Sequence, residues 1–232
     1  MKYLLGIDFG GGASKATLID TNGTIVAEST AEYPTLYPES GACEQSPEDW
    51  GNALCENTAS VLGKSGVNAA DILCVAIDSA THTAVLCDEN KLPLRPAIHW
   101  TDSRSVKESK ELNEKYGEEI LKLSYHKPGV FWTLPQLLWV KNNEPENFGK
   151  IRYIFFEKDY IRYLLTDVYC TDYIEAQGSM LFDNTTMQWD KKLCELAGIN
   201  FEIMPNIVKP TDIIGTITTN AAAQTGLCEG TP

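Results

Sequence analysis

The chain has 232 residues and carries 19 basic and 32 acidic residues, for a formal net charge of −13 at pH 7. A hydrophobic fraction of 43% and a charged fraction of 22% are those of an ordinary globular protein, and the chain is long enough to bury a core without disulfides or metals. The acidic balance argues against a nucleic acid or an anionic membrane as a partner, because both attract basic surfaces.

The cysteine pattern indicates a reducing compartment. The seven cysteines are odd in number and include no Cys-x-x-Cys pair, which predicts neither a disulfide framework nor a zinc site. Reduced thiols favour a cytoplasmic location. The first apolar run is short and is interrupted by Asp8, so it does not have the form of a signal peptide. No apolar stretch reaches the length of a membrane span.

The amino-terminal quarter of the chain has the clearest pattern of secondary structure. Alternation of apolar and polar residues predicts three consecutive strands, at residues 3–8, 16–20 and 24–32. Asn22-Gly23 joins the last two, and this dipeptide is a strong hairpin signal. Ser46 before Pro47 predicts the start of a helix that extends to about Gly63, because Ser is a favoured N-cap and Pro a favoured first helical residue.

The rest of the chain alternates between strand and helix patterns. We expect strands at residues 72–79, 83–87, 94–99, 151–156 and 213–218. We expect helices at residues 105–116, 133–141, 159–165, 189–197 and 221–226. An antiparallel start followed by this alternation predicts one α/β domain, in which helices flank a mixed sheet that we expect to have five strands.

A glycine-rich turn between the first two strands is the most informative segment, and it reads Asp8-Phe9-Gly10-Gly11-Gly12-Ala13-Ser14-Lys15. Glycines tolerate positive φ and let a backbone approach a ligand closely, and bare N–H groups beside a lysine suit a phosphate. Asp8 ends an otherwise apolar strand, and its carboxylate suits Mg²⁺ either directly or through water. The candidate phosphate and metal residues are Asp8, which is also the candidate metal ligand, Gly10, Gly11, Gly12, Ser14 and Lys15.

Better-known phosphate motifs do not fit this turn. It lacks the Gly-x-x-x-x-Gly-Lys-Ser/Thr pattern of the P-loop. It also does not open a helix as Gly-x-Gly-x-x-Gly does, because residues 15–20 alternate like a strand. A glycine-rich hairpin that binds no ligand is the alternative on this segment alone.

Several segments together resemble the amino-terminal domain of the FGGY carbohydrate kinases, and among these the xylulokinases most, over essentially the whole chain. The helix start at residues 44–50, Glu-Gln-Ser-Pro-Glu-Asp-Trp, is similar to one in that family. Residues 93–104 resemble its strand that ends in Trp-x-Asp-x-Arg. The element order likewise resembles the ribonuclease-H-like domain of the actin and sugar-kinase superfold, in which the phosphate turn lies in the first hairpin.

This resemblance implies transfer of a phosphoryl group from ATP, with Mg²⁺, to a hydroxyl of a sugar, most readily a pentulose such as xylulose. By the same analogy Asp8 organises the metal and the phosphates, and the turn from Gly10 to Lys15 faces the transferred phosphate. The candidate substrate-binding residues are Thr81, His82, Trp100, Asp102 and Arg104. Residues 1–232 would form the sugar-binding domain, with the ATP-binding domain outside this chain.

The sequence also departs from the family pattern. Ser79, Ala80 and Thr81 replace the Gly, Gln and Met that precede the equivalent histidine in xylulokinases, so ribulose, glycerol or another polyol is an alternative substrate. Gly11 stands where Thr or Ser is usual. A sugar-binding module without catalytic activity is a further alternative.

Plainer roles compete for the candidate substrate residues. His82 would otherwise be a satisfied core histidine, Trp100 a core residue, and Asp102 with Arg104 a surface ion pair at a helix start. No residue matches the family's catalytic base, which lies beyond the segment that ends here at Pro232. We therefore expect the chain to fold without turning over substrate by itself, and the face that would contact the second domain offers a route to a homodimer.

Overall fold

The structure is a computed structural model that describes all 232 residues. Its strands are β1 (Tyr3–Phe9), β2 (Ala13–Asp20), β3 (Ile25–Glu32), β4 (Glu44–Gln45), β5 (Ile72–Ser79), β6 (Ala84–Cys87), β7 (Ala97–Ile98), β8 (Tyr153–Phe156), β9 (Cys170–Asp172), β10 (Phe182–Asp183), β11 (Gln188–Trp189) and β12 (Asn206–Val208). Its helices are α1 (Pro47–Ser65), α2 (Val106–Ser124), α3 (Thr133–Asn143), α4 (Pro145–Gly149), α5 (Glu157–Thr166), α6 (Tyr173–Gly178), α7 (Lys191–Ala197) and α8 (Thr219–Thr225).

A mixed sheet of four strands, in the order β3-β2-β1-β5, forms the centre of the fold. β1 to β3 pair antiparallel, and β5 runs parallel to β1. The sequence therefore predicts the mixed α/β sheet correctly, but the number of five strands is wrong. Residues 213–218 form no strand, because Ile217 pairs locally with Gly230 and Thr231 and is buried in the core. At the outer edge of β5, the N–H of Val75 donates a hydrogen bond to the carbonyl oxygen of Pro232 at 2.9 Å.

One face of this sheet is buried and the other is open. Leu5, Ile7 and Phe9 of β1 point into a core that α1, α5 and α8 cover. The alternate positions of β1, Gly6 and Asp8, are exposed. Since side chains alternate across a strand, the open face of the sheet carries polar groups.

A second core lies between α2, α3 and α7, and the antiparallel pair β6–β8 lies where the two cores meet. Val85 and Phe155 of this pair belong to the first core, whereas Leu86 and Ile154 belong to the second. The β6–β8 pair therefore contributes side chains to both cores and connects them. No helix has both the length and the apolar character that a bilayer crossing requires.

The predicted start of α1 is confirmed. The helix begins at Pro47 with Ser46 as N-cap, although the Ser46 side chain makes no capping hydrogen bond. It ends at Ser65, and the following Gly66 has a φ of +64°, the left-handed conformation that favours glycine. The predicted helix at 105–116 is real but extends to Ser124.

Candidate functional site

The carboxyl ends of β1 and β5 lie side by side and bring two predicted segments together. Asp8 and Asp78 are register partners on these parallel strands. The loop after β5 is tied to the end of β1, because Ala80 N–H donates to Phe9 O at 3.1 Å. The glycine turn after β1 and the Thr81–His82 segment therefore share one edge of the sheet, where α/β proteins commonly bind ligands.

The glycine turn presents two free backbone donors. The carbonyl oxygens of Gly10, Gly11 and Gly12 all accept hydrogen bonds from within the protein: from the hydroxyl of Tyr33, the hydroxyl of Thr35 and the N–H of Tyr33, respectively. The N–H groups of Gly11 and Gly12 donate to no protein acceptor. With the carbonyls held back and these amides free, the turn is arranged to bind an anion.

The glycines act by leaving space and not by adopting an unusual backbone. None of Gly10, Gly11 and Gly12 has φ in the left-handed region, so the expectation that positive φ explains them is wrong. A methyl group at Gly12 would meet no atom within 4 Å, and one at Gly11 would lie 3.9 Å from the ring of His99. The absent side chains leave room for a ligand beside the two free amides.

Ser14 and Lys15 do not join this turn. Ser14 is fully buried, and its hydroxyl contacts the Asn57 amide at 2.7 Å. Lys15 is on the exposed face of β2, where its ammonium pairs with Glu28 at 2.6 Å. The prediction that the Ser14 hydroxyl faces a phosphate is wrong in this structure, because the side chain belongs to the core. The Lys15 ammonium is directed along the sheet and away from the turn.

Asp8 and Asp78 form a pair of carboxylates at the edge of the sheet. Both are exposed, and neither pairs with a basic side chain. Partial burial and the neighbouring charge of Asp78 raise the pKa of Asp8, and a divalent cation between the carboxylates would relieve this repulsion. The structure groups no three His, Cys, Asp or Glu side chains into a metal centre. One or two carboxylates with substrate phosphates suit Mg²⁺, which keeps several waters.

His82 is buried, but it is not a satisfied core histidine. Its backbone has φ of +55°, and it is fixed by its N–H donating to Glu175 Oε2 at 2.7 Å and its carbonyl accepting from Thr133 at 2.8 Å. The ring lies 5.0 Å from that of Trp132, and Nδ1 has no partner. Burial lowers the pKa of His82 to about 4, so the imidazole is neutral at pH 7.

Thr81, which precedes this histidine, and Trp100 are both exposed. Thr81 is exposed in the loop after β5, and it lies against Gly178, where a methyl group would come within 3.2 Å of its side chain. Trp100 is 48% exposed, and its ring lies 5.7 Å from that of His99. The plainer expectation that Trp100 is a core residue is therefore wrong, and its indole is available to a ligand.

Asp102 and Arg104 belong to a buried ionic network. Arg104 contacts Asp102 at 2.8 Å and Glu44 at 2.5 Å, and Arg95 pairs with the same Glu44 carboxylate and with Glu144. The side chain of Asp102 is 2% exposed and that of Arg104 is 7% exposed. The alternative of a surface ion pair is wrong, because these charges are buried.

The network fixes the chain just after β7. Asp102 also accepts from the backbone N–H of Cys43 at 2.8 Å and from that of Arg104 at 2.9 Å. Its oxygens are therefore fully used inside the protein. Asp102 and Arg104 are predicted substrate-binding residues, and in this structure they support the site indirectly by holding the loop that carries His99 and Trp100.

His99 lies within the motif at residues 93–104 but is not among the predicted site residues. It is 4% exposed, its Nδ1 lies 2.9 Å from Thr101 Oγ1, and its Nε2 has no partner. Burial lowers the pKa of His99. Its ring borders Gly11, so it connects the glycine turn to Trp100. The sequence contains no local signal for this contact, which joins distant segments.

Two buried carboxyls near Asp8 were also not predicted. Glu157 is completely buried, and neither of its oxygens has a hydrogen-bond partner. Burial, together with Glu175 and Asp8, raises the pKa of Glu157 well above its ordinary value. Burial also raises the pKa of Glu175 to about 8, against the opposing charge of Lys158. Burial therefore favours the protonated form of both carboxyls.

Comparisons with known proteins agree with this geometry. Residues 3–232 match the sequence profile described as the FGGY family of carbohydrate kinases, N-terminal domain. A xylulose kinase of Bacillus subtilis (strain 168) is 37% identical over 231 residues, which covers 100% of this chain and 46% of that protein. A gluconokinase of the same organism is 29% identical over 231 residues, which covers 99% of this chain and 45% of that protein.

The fold comparison gives the same result. The crystal structure of xylulose kinase from Rhodospirillum rubrum superposes with a TM-score of 0.95 at 26% identity, and the match covers 100% of this chain and 48% of that chain. The predicted fold class, an α/β domain of the sugar-kinase superfold, is confirmed. The chain spans about half the length of the curated relatives it matches.

Proposed function

Since the chain belongs to the FGGY family of carbohydrate kinases, we propose that it is the sugar-binding part of a kinase that transfers a phosphoryl group from ATP to a hydroxyl of a pentulose. The single observation that carries this proposal is the shared edge of the sheet, which has the free amides of Gly11 and Gly12 after β1 and the Thr81–His82 segment after β5. The similarity to a protein named xylulose kinase supports xylulose as the first substrate to test.

Phosphoryl transfer depends on positioning and on electrostatic stabilisation more than on covalent help from the protein. The N–H groups of Gly11 and Gly12 are preorganised donors for oxygens of the transferred group, and such donors act strongly where water is excluded. Asp8 and Asp78 would hold Mg²⁺, which when bound neutralises charge on the phosphate oxygens. We propose ATP as the donor and Mg²⁺ as the metal on these grounds.

The sugar would lie against Thr81, His82 and Trp100. A neutral imidazole has one donor and one acceptor nitrogen, which suits hydroxyl groups that both donate and accept. The exposed indole of Trp100 offers a flat apolar surface for the C–H groups of a sugar. Asp102 and Arg104 contribute indirectly, because they fix the loop that carries Trp100.

No carboxylate of this edge suits the role of proton acceptor for the sugar hydroxyl. Asp8 lies beside Asp78 and serves the metal in this proposal, and Glu157 is closed off from solvent. We propose that the base and the ATP-binding surface come from a second domain, since the relatives are about twice as long as this chain. A cytoplasmic location and a homodimer remain predictions; the seven cysteines are all free thiols, as a reducing compartment would require.

Thermal shift with a panel of xylulose, ribulose, gluconate and glycerol tests the proposal. A ligand at about 100 times its Kd stabilises the folded state by about 2.7 kcal/mol, which raises Tm by roughly 5–10 °C for a domain of this size. We expect this shift with a pentulose and its loss in His82→Leu. No shift with any sugar, in a chain that melts cooperatively, would contradict the proposed function.

A further inference from the structure

The ring of His99 borders Gly11 on the side where a side chain at this position would project. A methyl group built on Gly11 would lie 3.9 Å from both His99 Cε1 and His99 Nε2. Since Gly11 has no side chain and is exposed, a ligand oxygen can occupy that space. A movement of about 1 Å toward the ring would bring this oxygen within hydrogen-bond distance of Nε2.

The other nitrogen of His99, Nδ1, is already engaged by Thr101 and lies 3.7 Å from Cys43 Sγ. The backbone N–H of Thr101 is directed at Nδ1 at 3.4 Å, and its hydroxyl lies 2.9 Å from the same atom. A backbone N–H can only donate, and the tautomer that accepts it at Nδ1 carries the ring proton on Nε2. In that tautomer, which belongs to the proposal below, the Nε2–H has no acceptor in the protein.

An unused donor in a buried ring is a costly feature for a purely structural histidine. Buried polar groups are nearly always hydrogen-bonded, and a residue that only filled space here could be apolar. The ring is also firmly positioned, since its backbone N–H donates to Cys43 O at 2.9 Å and its carbonyl accepts from Asp102 N–H at 2.9 Å. The orientation of Nε2 toward Gly11 is therefore built into the loop.

We propose that the Nε2–H of His99 is a third donor, beside the N–H groups of Gly11 and Gly12, for an oxygen of the transferred phosphoryl group. This assignment rests on the proposed function and deepens it. His99 then binds the phosphoryl end of the ligand, whereas His82 and Trp100 face the sugar. The ligand class is a phosphorylated polyol, and the contribution of His99 is specific to the phosphate.

The test compares a pentulose phosphorylated at its terminal hydroxyl with the same pentulose unphosphorylated, by calorimetric titration of the whole chain. His99→Asn places its amide near Nδ1 and lacks a donor at Nε2, whereas the longer His99→Gln restores a donor near Nε2. We expect His99→Asn to weaken the phosphorylated ligand by roughly 5- to 50-fold and the free sugar by less than about twofold. His99→Gln should recover most of the affinity.

A spectroscopic measurement on the unmodified chain keeps the proposal testable if a variant unfolds. The ¹⁵N signal of His99 Nε2 should move on addition of the phosphorylated pentulose and stay in place with the free pentulose. Equal losses of affinity for both ligands in His99→Asn would overturn the proposed role of His99 without affecting the proposed function. An Nε2 signal that does not move on addition of the phosphorylated pentulose would do the same. Failure of the unmodified chain to bind either ligand would instead overturn the proposed function.

Discussion

Replacement of Asp102 by Ala should destabilise the protein strongly, and any loss of sugar affinity should be the smaller effect, transmitted through the loop that carries Trp100. The substitution removes the acceptor of the Cys43 N–H and one of three carboxylates around the Arg104 guanidinium. Removal of one partner from a buried ionic group costs about 3–5 kcal/mol, because the remaining charge stays buried. For a domain of this size the change lowers Tm by roughly 6–20 °C.

Urea unfolding followed by circular dichroism measures this loss, and titration at a temperature where the variant is folded measures the affinity. Glu28→Ala is the matched control, since Glu28 pairs with Lys15 at an exposed position and its removal should lower Tm far less. A small loss of stability in Asp102→Ala combined with loss of sugar binding would refute this reasoning. Asp102 would then contact the substrate itself.

Three further substitutions test separate parts of the structure. Glu157→Leu should stabilise the protein by about 1–3 kcal/mol, because it removes a buried carboxyl without hydrogen-bond partners. Burial raises the pKa of Glu157, so the stability of the unmodified chain that depends on this group is fully present below the ordinary pKa of 4.5 and is lost as pH rises. The Tm of the variant should therefore exceed that of the unmodified chain by more at pH 8 than at pH 5. Gly12→Ala should melt within about 2 °C of the unmodified chain, because the added Cβ meets no atom of the protein, yet lose affinity for a phosphorylated pentulose in calorimetry. Asp78→Asn should lower the pKa of Asp8, as measured by its carboxyl ¹³C signal, and an unchanged value would show that the two carboxylates do not interact.

Long segments with a regular period were predictable because local pattern determined them. β1, β3, β5 and α1 each contain enough residues for alternation or capping signals to show, and all four were expected. β4 and β7 have two residues each, too few to produce a period. The segment at 213–218 has the β-branched residues of a strand, but burial of Ile217 in an irregular segment explains them equally well.

The site was predictable only in part, and Ser14 shows one reason. Along β2 the positions alternate, so Ser14 shares a face with the buried residues Ala16 and Leu18. The same alternation places Lys15 on the open face. This alternation was visible in the sequence and indicated that Ser14 is buried and Lys15 is exposed. Both were nevertheless predicted as phosphate residues, because they follow the glycine turn directly.

Contacts between distant segments explain the remaining differences. The proximity of His99 to Gly11, and the engagement of Asp102 by the backbone of Cys43, depend on how separate loops meet at the sheet edge. No local pattern encodes either contact. The exposure of Trp100 has the same origin. A tryptophan is on average a highly buried residue, so its sequence position alone favours the core.

A titration followed by amide resonances tests most directly whether the glycine turn and the histidine loop form one site. The ligand is a pentulose phosphorylated at its terminal hydroxyl, and the probes are the N–H groups of Gly11, Gly12 and His82. We predict that all three signals shift along one binding curve with one Kd. Shifts confined to the glycines or to His82, or two curves with different Kd values, would show that the two places are separate and would contradict a single kinase site.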